Sequence, residues 1–218
     1  MTERLYYDDA RACSFTARLL DVKTLQGEDG VDRPAVRLDR TAFYPTSGGQ
    51  PYDTGRLSNR QVVEVLEDED GEIWHLLDAP LTGEPDTVEG TIDWDRRFDH
   101  MQQHTGQHLL SAAFEEVLNA STIGFHLGSE ESTIDLDVPQ LSWEAAFRVE
   151  DAVNEVVWQD RQVNVLTVDE EDLTKIPLRK PPAVTGKIRI VWVEDYDASA
   201  CGGTHLDRTG EVGFVKIV

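Results

Sequence analysis

The chain has 218 residues and a formal charge of −22, from 20 basic and 42 acidic side chains. Proteins that grip nucleic acid without sequence preference take most of their affinity from phosphate neutralisation, so this balance argues against that class and leaves any such contact to a local basic patch. Two cysteines in unlike contexts exclude a disulfide scaffold, and no run approaches the roughly eighteen apolar residues of a membrane-spanning helix.

The length suits one or two domains with a sizeable core. The opening residues Met1 to Tyr6 lack the apolar centre of a signal peptide, so a cytoplasmic protein is expected. Residues 1–90 read as β. Ser14 to Leu25, Ala35 to Phe43, Gln61 to Leu66, Glu72 to Leu77 and Thr87 to Trp94 are short, partly alternating runs. Turn clusters separate them, among them Gln26 to Gly30, Glu69 to Gly71 and Leu81 to Pro85. Several short strands at this spacing predict a small barrel. Within it, Thr46-Ser47-Gly48-Gly49-Gln50-Pro51 stands out. Paired glycines accept backbone angles that other residues resist, which suits either a tight inter-strand loop or the close approach of a ligand.

Asp93-Trp94-Asp95-Arg96-Arg97 marks a boundary, dividing the chain into 1–92 and 93–218. Its acids suit a helix N-terminus. Phe98, Leu109, Leu110, Ala113, Phe114, Val117 and Leu118 then recur at three and four, predicting a helix to about Leu118. On it His104 and His108 stand one turn apart on one face, where both imidazoles can reach a single ion. His100 extends the stripe, and the spacing alone does not choose two of the three. Gly106 costs about 1 kcal/mol relative to alanine in mid-helix, which points to close packing or to room for a ligand.

Ser121 to His126 and Ser132 to Asp137 read as strands paired across Gly128-Ser129-Glu130-Glu131. Thr122 offers a hydroxyl from the first of them, and His126 suits a satisfied polar residue better than a ligand. Ser142 is an N-cap for a second helix to about Asp160, with Ala146, Val149, Val153, Val156 and Val157 inward. Gln162 to Val168 reads as a strand and Asp169 to Leu173 as a short acidic helical turn. Pro177, Pro181 and Pro182 then punctuate a loop leading into an acid-free stretch with Arg179, Lys180, Lys187 and Arg189. Lys187 to Val193 and Val212 to Ile217 are the expected last strands, bracketing Cys201-Gly202-Gly203-Thr204-His205.

A Cys and a His four apart across a Gly-Gly turn can fold both side chains inward. With His104 and His108 they make three imidazoles and one thiolate, a set suited to Zn2+. Four protein ligands close a tetrahedral site, the structural pattern, whereas a catalytic ion keeps an exchangeable position. The HExxH metalloprotease pattern fails, because Thr105 stands where the glutamate belongs.

His104-Thr105-Gly106-Gln107-His108-Leu109-Leu110-Ser111 and Cys201-Gly202-Gly203-Thr204-His205 resemble the two zinc motifs of the alanyl-tRNA synthetase editing domain and its free-standing AlaX-type relatives. Phe43 to Gly55 is similar to the glycine-rich motif of the β-domain that precedes that editing domain, and Arg208 to Gly213 follows the second zinc motif as it does there. Gly106 departs from the alanine common in the pattern.

The resemblance implies an α+β fold: a small N-terminal β-barrel-like domain, then an α/β-sandwich editing domain with an antiparallel sheet and two long helices. It implies hydrolysis of the ester of seryl-tRNA(Ala), with glycyl-tRNA(Ala) as a second candidate, by a trans-editing deacylase whose partner is mischarged tRNA(Ala). A monomer is compatible with this reading, and no membrane is involved. His104, His108, Cys201 and His205 would hold the metal, with Thr122 reading the serine hydroxyl and Gln107 and Thr105 near the substrate. Gly48 and Gly49 would face the site or the tRNA end, and Arg179 and Lys180 would meet the tRNA. Two rivals remain: an editing domain of the threonyl-tRNA synthetase type, and a non-catalytic zinc-stabilised module that binds tRNA or a synthetase.

Overall fold

Alternating side chains in residues 1–90 close a barrel. The computed structural model describes residues 1–83, 85–128, 131–182 and 185–218, and divides into two units, Met1–His100 and Met101–Val218. In the first, β1 (Glu3–Arg4) pairs in parallel with β4 (Arg40–Thr41). The strands β2 (Ser14–Gln26), β3 (Asp32–Leu38), β5 (Gly55–Leu57), β6 (Arg60–Glu67), β7 (Ile73–Leu77) and β8 (Thr87–Ile92) close in the order β2-β3-β7-β6-β5-β8. Every neighbouring pair in that ring is antiparallel. Strand β8 is buried at every second residue, the period-two signature of a strand with one face inward. Leu38, Leu57, Val65, Ile73, Leu77 and Val88 fill the interior.

Two boundaries differ from expectation. The run Ala35 to Phe43 breaks after Leu38 into the separate β4, and the run from Thr87 stops at Ile92 because Trp94 opens a helix. Strand β5 carries no alternation that a three-residue segment could display. It depends on Gly55, whose φ is 154° and whose added Cβ would sit 2.1 Å from the Thr91 carbonyl oxygen. Gly48 and Gly49 form a two-residue turn, with φ of 56° and 83° and reciprocal backbone hydrogen bonds of 3.1 and 3.0 Å between Ser47 and Gln50. The expected turn Leu81 to Pro85 contains Glu84, and the connection 128–131 contains Ser129 and Glu130. These three lie outside the described residues.

His75 is fully buried in this unit, its Nε2 2.7 Å from Thr41 Oγ1 and its Nδ1 3.1 Å from the Val36 carbonyl. A neutral ring satisfies both contacts, donating from Nδ1 and accepting at Nε2. Burial pulls its pKa from 6.5 down to about 4. Because the folded value lies below the unfolded one, the stabilisation is complete above pH 6.5 and is lost as pH falls toward 4. Linkage gives a loss of about 2 kcal/mol between pH 7 and pH 5. Urea unfolding free energies at both pH values, measured against His75→Gln, should show that difference; an equal loss of stability from pH 7 to pH 5 in the two chains would contradict it.

Helix α1 (Trp94–Leu118) leads from the first unit into the second. It ends where Asn119 takes φ of 52°. In the second unit, β9 (Thr122–Leu127) pairs antiparallel with β10 (Ser132–Leu136). The Ser142 side chain caps α2 (Trp143–Trp158), accepting from Ala145 N at 3.2 Å. Its inward residues Ala146, Val149, Val153, Val156 and Val157 are all buried. An antiparallel sheet, β11 (Val163–Asp169), β12 (Lys187–Val193) and β13 (Asp197–Ala200), completes the unit in that order. The fold is thus α+β: a six-stranded barrel, further antiparallel sheets and two long helices.

The expected strand Val212 to Ile217 does not form. Thr209–Val212 is a 3-10 turn, and residues beyond Gly213 pair with helix side chains instead of a strand. Val215 N donates to Asn154 Oδ1 (2.9 Å), Asn154 Nδ2 donates back to Val215 O (2.8 Å), and Ile217 N donates to Glu150 Oε2 (2.8 Å). Those side chains satisfy the backbone that a neighbouring strand would have satisfied. Gly106 faces this segment: a Cβ there would meet Val212 Cγ1 at 3.3 Å, so the mid-helix glycine admits close packing.

Candidate metal centre

Helical periodicity brings the first two donors together. His104 and His108 lie a turn apart on α1, both buried, with ring centroids 5.3 Å apart. Strand β12, a tight turn and β13 then deliver Cys201, and the Gly202-Gly203 turn brings His205 back beside it. Arg189 holds that turn, donating from Nη1 to the carbonyls of Cys201 and Gly203, each at 2.8 Å. Gly203 N donates to Cys201 Sγ at 3.3 Å.

One donor atom from each of His104, His108, Cys201 and His205 falls within 4.8 Å of the other three, a group that could hold a metal ion. Cys201 Sγ lies 3.4 Å from His104 Nε2 and 3.3 Å from His205 Nε2. His100, the third member of the stripe, is buried but is not part of this group.

The far sides of two rings are held as well. His205 Nδ1 is 3.2 Å from Thr105 Oγ1, and that fully buried hydroxyl accepts from Leu206 N at 3.1 Å. His108 Nδ1 lies 3.7 Å from the buried Asp197 carboxylate, near enough for charge attraction but too long for a hydrogen bond. Asp197 also takes Arg179 Nε at 2.8 Å and Ser199 Oγ at 3.0 Å. Outer contacts of this kind fix the tautomer and orientation of metal-binding histidines.

Charge in the cluster is mutually adjusted. Burial disfavours the Cys201 thiolate, yet His104 and His205 bring the thiol well below its ordinary value. Burial lowers His108, but Asp197 and Cys201 override it and raise the ring to about 9. His205 falls to about 3 through burial and the neighbouring His104.

Beside the donors, Thr122 on β9 is buried and its Oγ1 lies within hydrogen-bond distance of Ser111 Oγ, 2.7 Å away. Gln107 Nε2 donates to the same oxygen at 2.6 Å, leaving Gln107 Oε1 buried and without a hydrogen bond. Phe125, also on β9, packs against His104 at 5.2 Å between centroids, while His126 is exposed.

The acid-free stretch is mostly spent inside the fold. Arg179 pairs with Asp197, Arg189 braces the Cys201 turn, and Lys180 Nζ donates to the Thr122 carbonyl. Lys187 is exposed. Gly48 and Gly49 belong to the first unit, in their own turn. Sequence reasoning passed over Asp197 and Ser111. Asp197 sits in the run Glu194-Asp195-Tyr196-Asp197, where nothing separates it from solvated acids. Ser111 did carry a signal: it is three residues past His108 and seven past His104, on the same helix face.

Models of two synthetase-derived domains match this chain. Residues 1–96 match class II (A) tRNA synthetases, and residues 188–218 match the second additional domain of threonyl and alanyl tRNA synthetases. An alanyl-tRNA editing protein AlaX-M of Methanosarcina acetivorans is 33% identical across all of this chain, which covers 92% of that protein. AlaX-L of Pyrococcus horikoshii is 36% identical and the alanine–tRNA ligase of Halobacterium salinarum 38%, again over the whole chain. The chain spans 54% of the length of the former and 24% of the latter. It belongs to the alanyl-tRNA editing protein family.

Proposed function

We propose that the chain is a trans-editing deacylase that hydrolyses the ester of seryl-tRNA(Ala) and spares alanyl-tRNA(Ala), with 1–92 as its β-barrel domain and 93–218 as its editing domain. The observation that carries this reading is the four-donor cluster, whose two helical histidines share a face of α1 with Ser111, which meets Thr122 and Gln107. The family relationship supports the substrate class, since the AlaX-M relative of nearly equal length is an alanyl-tRNA editing protein.

The donors fit zinc. Zn–S and Zn–N bonds of about 2.3 and 2.0–2.1 Å at tetrahedral angles put sulfur and nitrogen about 3.5 Å apart, close to the 3.3 and 3.4 Å found here. His104 Nε2, His205 Nε2, Cys201 Sγ and His108 would hold the ion. When bound, zinc supplies a fixed positive charge that orders the site and polarises oxygens near it.

The chain's own residues do the rest. Thr105 is buried against His205, which suits holding a ligand in place rather than touching substrate. Thr122 and Gln107 offer polar atoms to an amino-acid side chain. An aminoacyl ester is already activated, so orientation of carbonyl and water suffices without a covalent nucleophile. Alanine lacks the hydroxyl and leaves buried polar atoms unpaired, which disfavours it. Of the basic residues considered for tRNA contact, Lys187 and Lys180 are the exposed ones.

The test is release of amino acid from Ser-tRNA(Ala) and Ala-tRNA(Ala) by native and chelator-stripped protein. Rapid metal-dependent release of serine alone is expected. No release from either substrate with zinc bound would leave the non-catalytic binding module. Thr122→Val should keep zinc content and folding while lowering serine-over-alanine selectivity by about tenfold, one net hydrogen bond. Unchanged selectivity would remove Thr122 from the role.

A further inference from the structure

We propose that the surface of this chain is matched to a medium of concentrated monovalent salt, in which screening both steadies the fold and admits a polyanionic substrate, so that tRNA capture strengthens as salt rises. The substrate half rests on the editing reading above; the folding half stands without it.

Acids outnumber bases by 42 to 20, and many of them are exposed with no ion-pair partner among the described residues. Some stand beside one another. Asp151 and Glu155 lie a turn apart on the outer face of α2, a spacing at which like charges repel. Glu69 and Asp70 are neighbours in the turn between β6 and β7, and Asp169 and Glu171 flank Glu170 where the 3-10 helix Glu170–Lys175 begins. Self-repulsion of this kind works against the compact state. It reaches far only while unscreened: the screening length falls from about 10 Å at 0.1 M salt to about 3 Å at 1 M.

The basic side chains are spent inside the fold. In the first unit Arg4, Arg18, Arg33, Arg37, Arg40 and Arg97 are all paired with carboxylates. In the second, Lys175, Arg179, Arg208 and Lys216 are paired in the same way. Arg161, Lys180 and Arg189 donate to backbone carbonyls. Among the described residues, this leaves Arg148 and Lys187 as the second unit's cations with neither an ion pair nor a hydrogen bond. Arginine outnumbers lysine by 15 to 5, and its planar fork suits fixed internal bonds of this sort.

The consequence for a nucleic acid is a change of sign. Proteins that grip phosphates lose affinity as salt rises, in proportion to the number of phosphates neutralised. Here a cation already paired must break its pair to reach a phosphate, so that term is small. What salt removes instead is the repulsion between tRNA and a net charge of −22.

The test varies KCl from about 0.1 to 1 M at fixed magnesium, with zinc loaded. It compares the parent with a chain carrying Glu69→Gln, Asp70→Asn, Asp151→Asn, Glu155→Gln, Asp169→Asn and Glu171→Gln. The parent's Tm should rise with salt. Self-repulsion grows as the square of net charge, so the altered chain should show about half that rise. Over the salt range in which circular dichroism shows both chains folded, kcat/KM on Ser-tRNA(Ala) should rise several-fold in the parent and less in the altered chain.

A kcat/KM that falls with salt overturns the substrate half. A Tm that ignores salt overturns the folding half, as does one that rises equally in both chains, since a general salting-out effect would act on both alike. If the unaltered chain releases no amino acid at any salt, the editing reading falls with the substrate half, and the Tm comparison still decides the folding half.

Discussion

Cys201→Ala is expected to abolish stable zinc binding and to lower serine release by more than the 10–100-fold typical of losing an outer contact to a ligand. Three reasons make this the most damaging change in the second unit. Cys201 is the only thiol in the cluster, and it lies 3.3 to 3.4 Å from two of the three imidazoles, so it is the central donor. Its sulfur also accepts from Gly203 N, so the Gly-Gly turn that aims His205 loses a contact too. The remaining imidazoles would be left crowded, with His104 and His205 centroids 4.4 Å apart and the thiolate that lay against both removed. Cys201→Ser keeps the size and the turn contact but replaces the thiolate with a poor zinc ligand, so it should also lose metal. Zinc content after dialysis against a mild chelator measures this directly. Full occupancy in either variant would mean that the ion, if bound, uses another donor.

The parts of this molecule that were legible in sequence are those carried by period and spacing. His104 and His108 declared themselves because α1 has apolar residues at three and four around them, and Cys201 and His205 because a Gly-Gly pair separates them. The inward face of α2 followed from the same period. What stayed hidden depended on partners distant in the chain. Arg179 looked like a free cation until Asp197, 18 residues on, took its Nε. Arg189 read as a strand charge but braces two carbonyls of the metal turn. The alternation in Val212 to Ile217 was real, yet the backbone found Asn154 and Glu150 on a helix. Charge and alternation state what a segment needs, not which neighbour meets the need.

The same lesson applies to the Phe43 to Gly55 motif, and there it predicts a large loss of stability. Asp53, in that motif, is fully buried and ion-paired with the equally buried Arg97 near the start of α1. Arg97 Nε lies 3.0 Å from Asp53 Oδ1, while its other nitrogens donate to the carbonyls of Ala10 (2.7 Å) and Ala42 (2.6 Å). Tyr44 N donates to Asp53 Oδ2 at 2.6 Å. One guanidinium thus ties four segments of the first unit, and every contact is internal to it. Arg97→Met removes the cation but leaves the carboxylate in place. A buried charge stripped of its partner costs about 3–5 kcal/mol. For a chain of this size that corresponds to a fall in Tm on the order of 10 °C. Adding Asp53→Asn to Arg97→Met removes the orphaned charge and should restore part of the loss, since an uncharged amide can still accept from Tyr44 N. Recovery in the double variant distinguishes charge burial from lost packing, which a second substitution would only deepen. Thermal unfolding of the three chains decides it: a single variant within about 1 kcal/mol of the parent would show that water reaches Asp53, and the motif would then owe its fixed shape to its glycines alone.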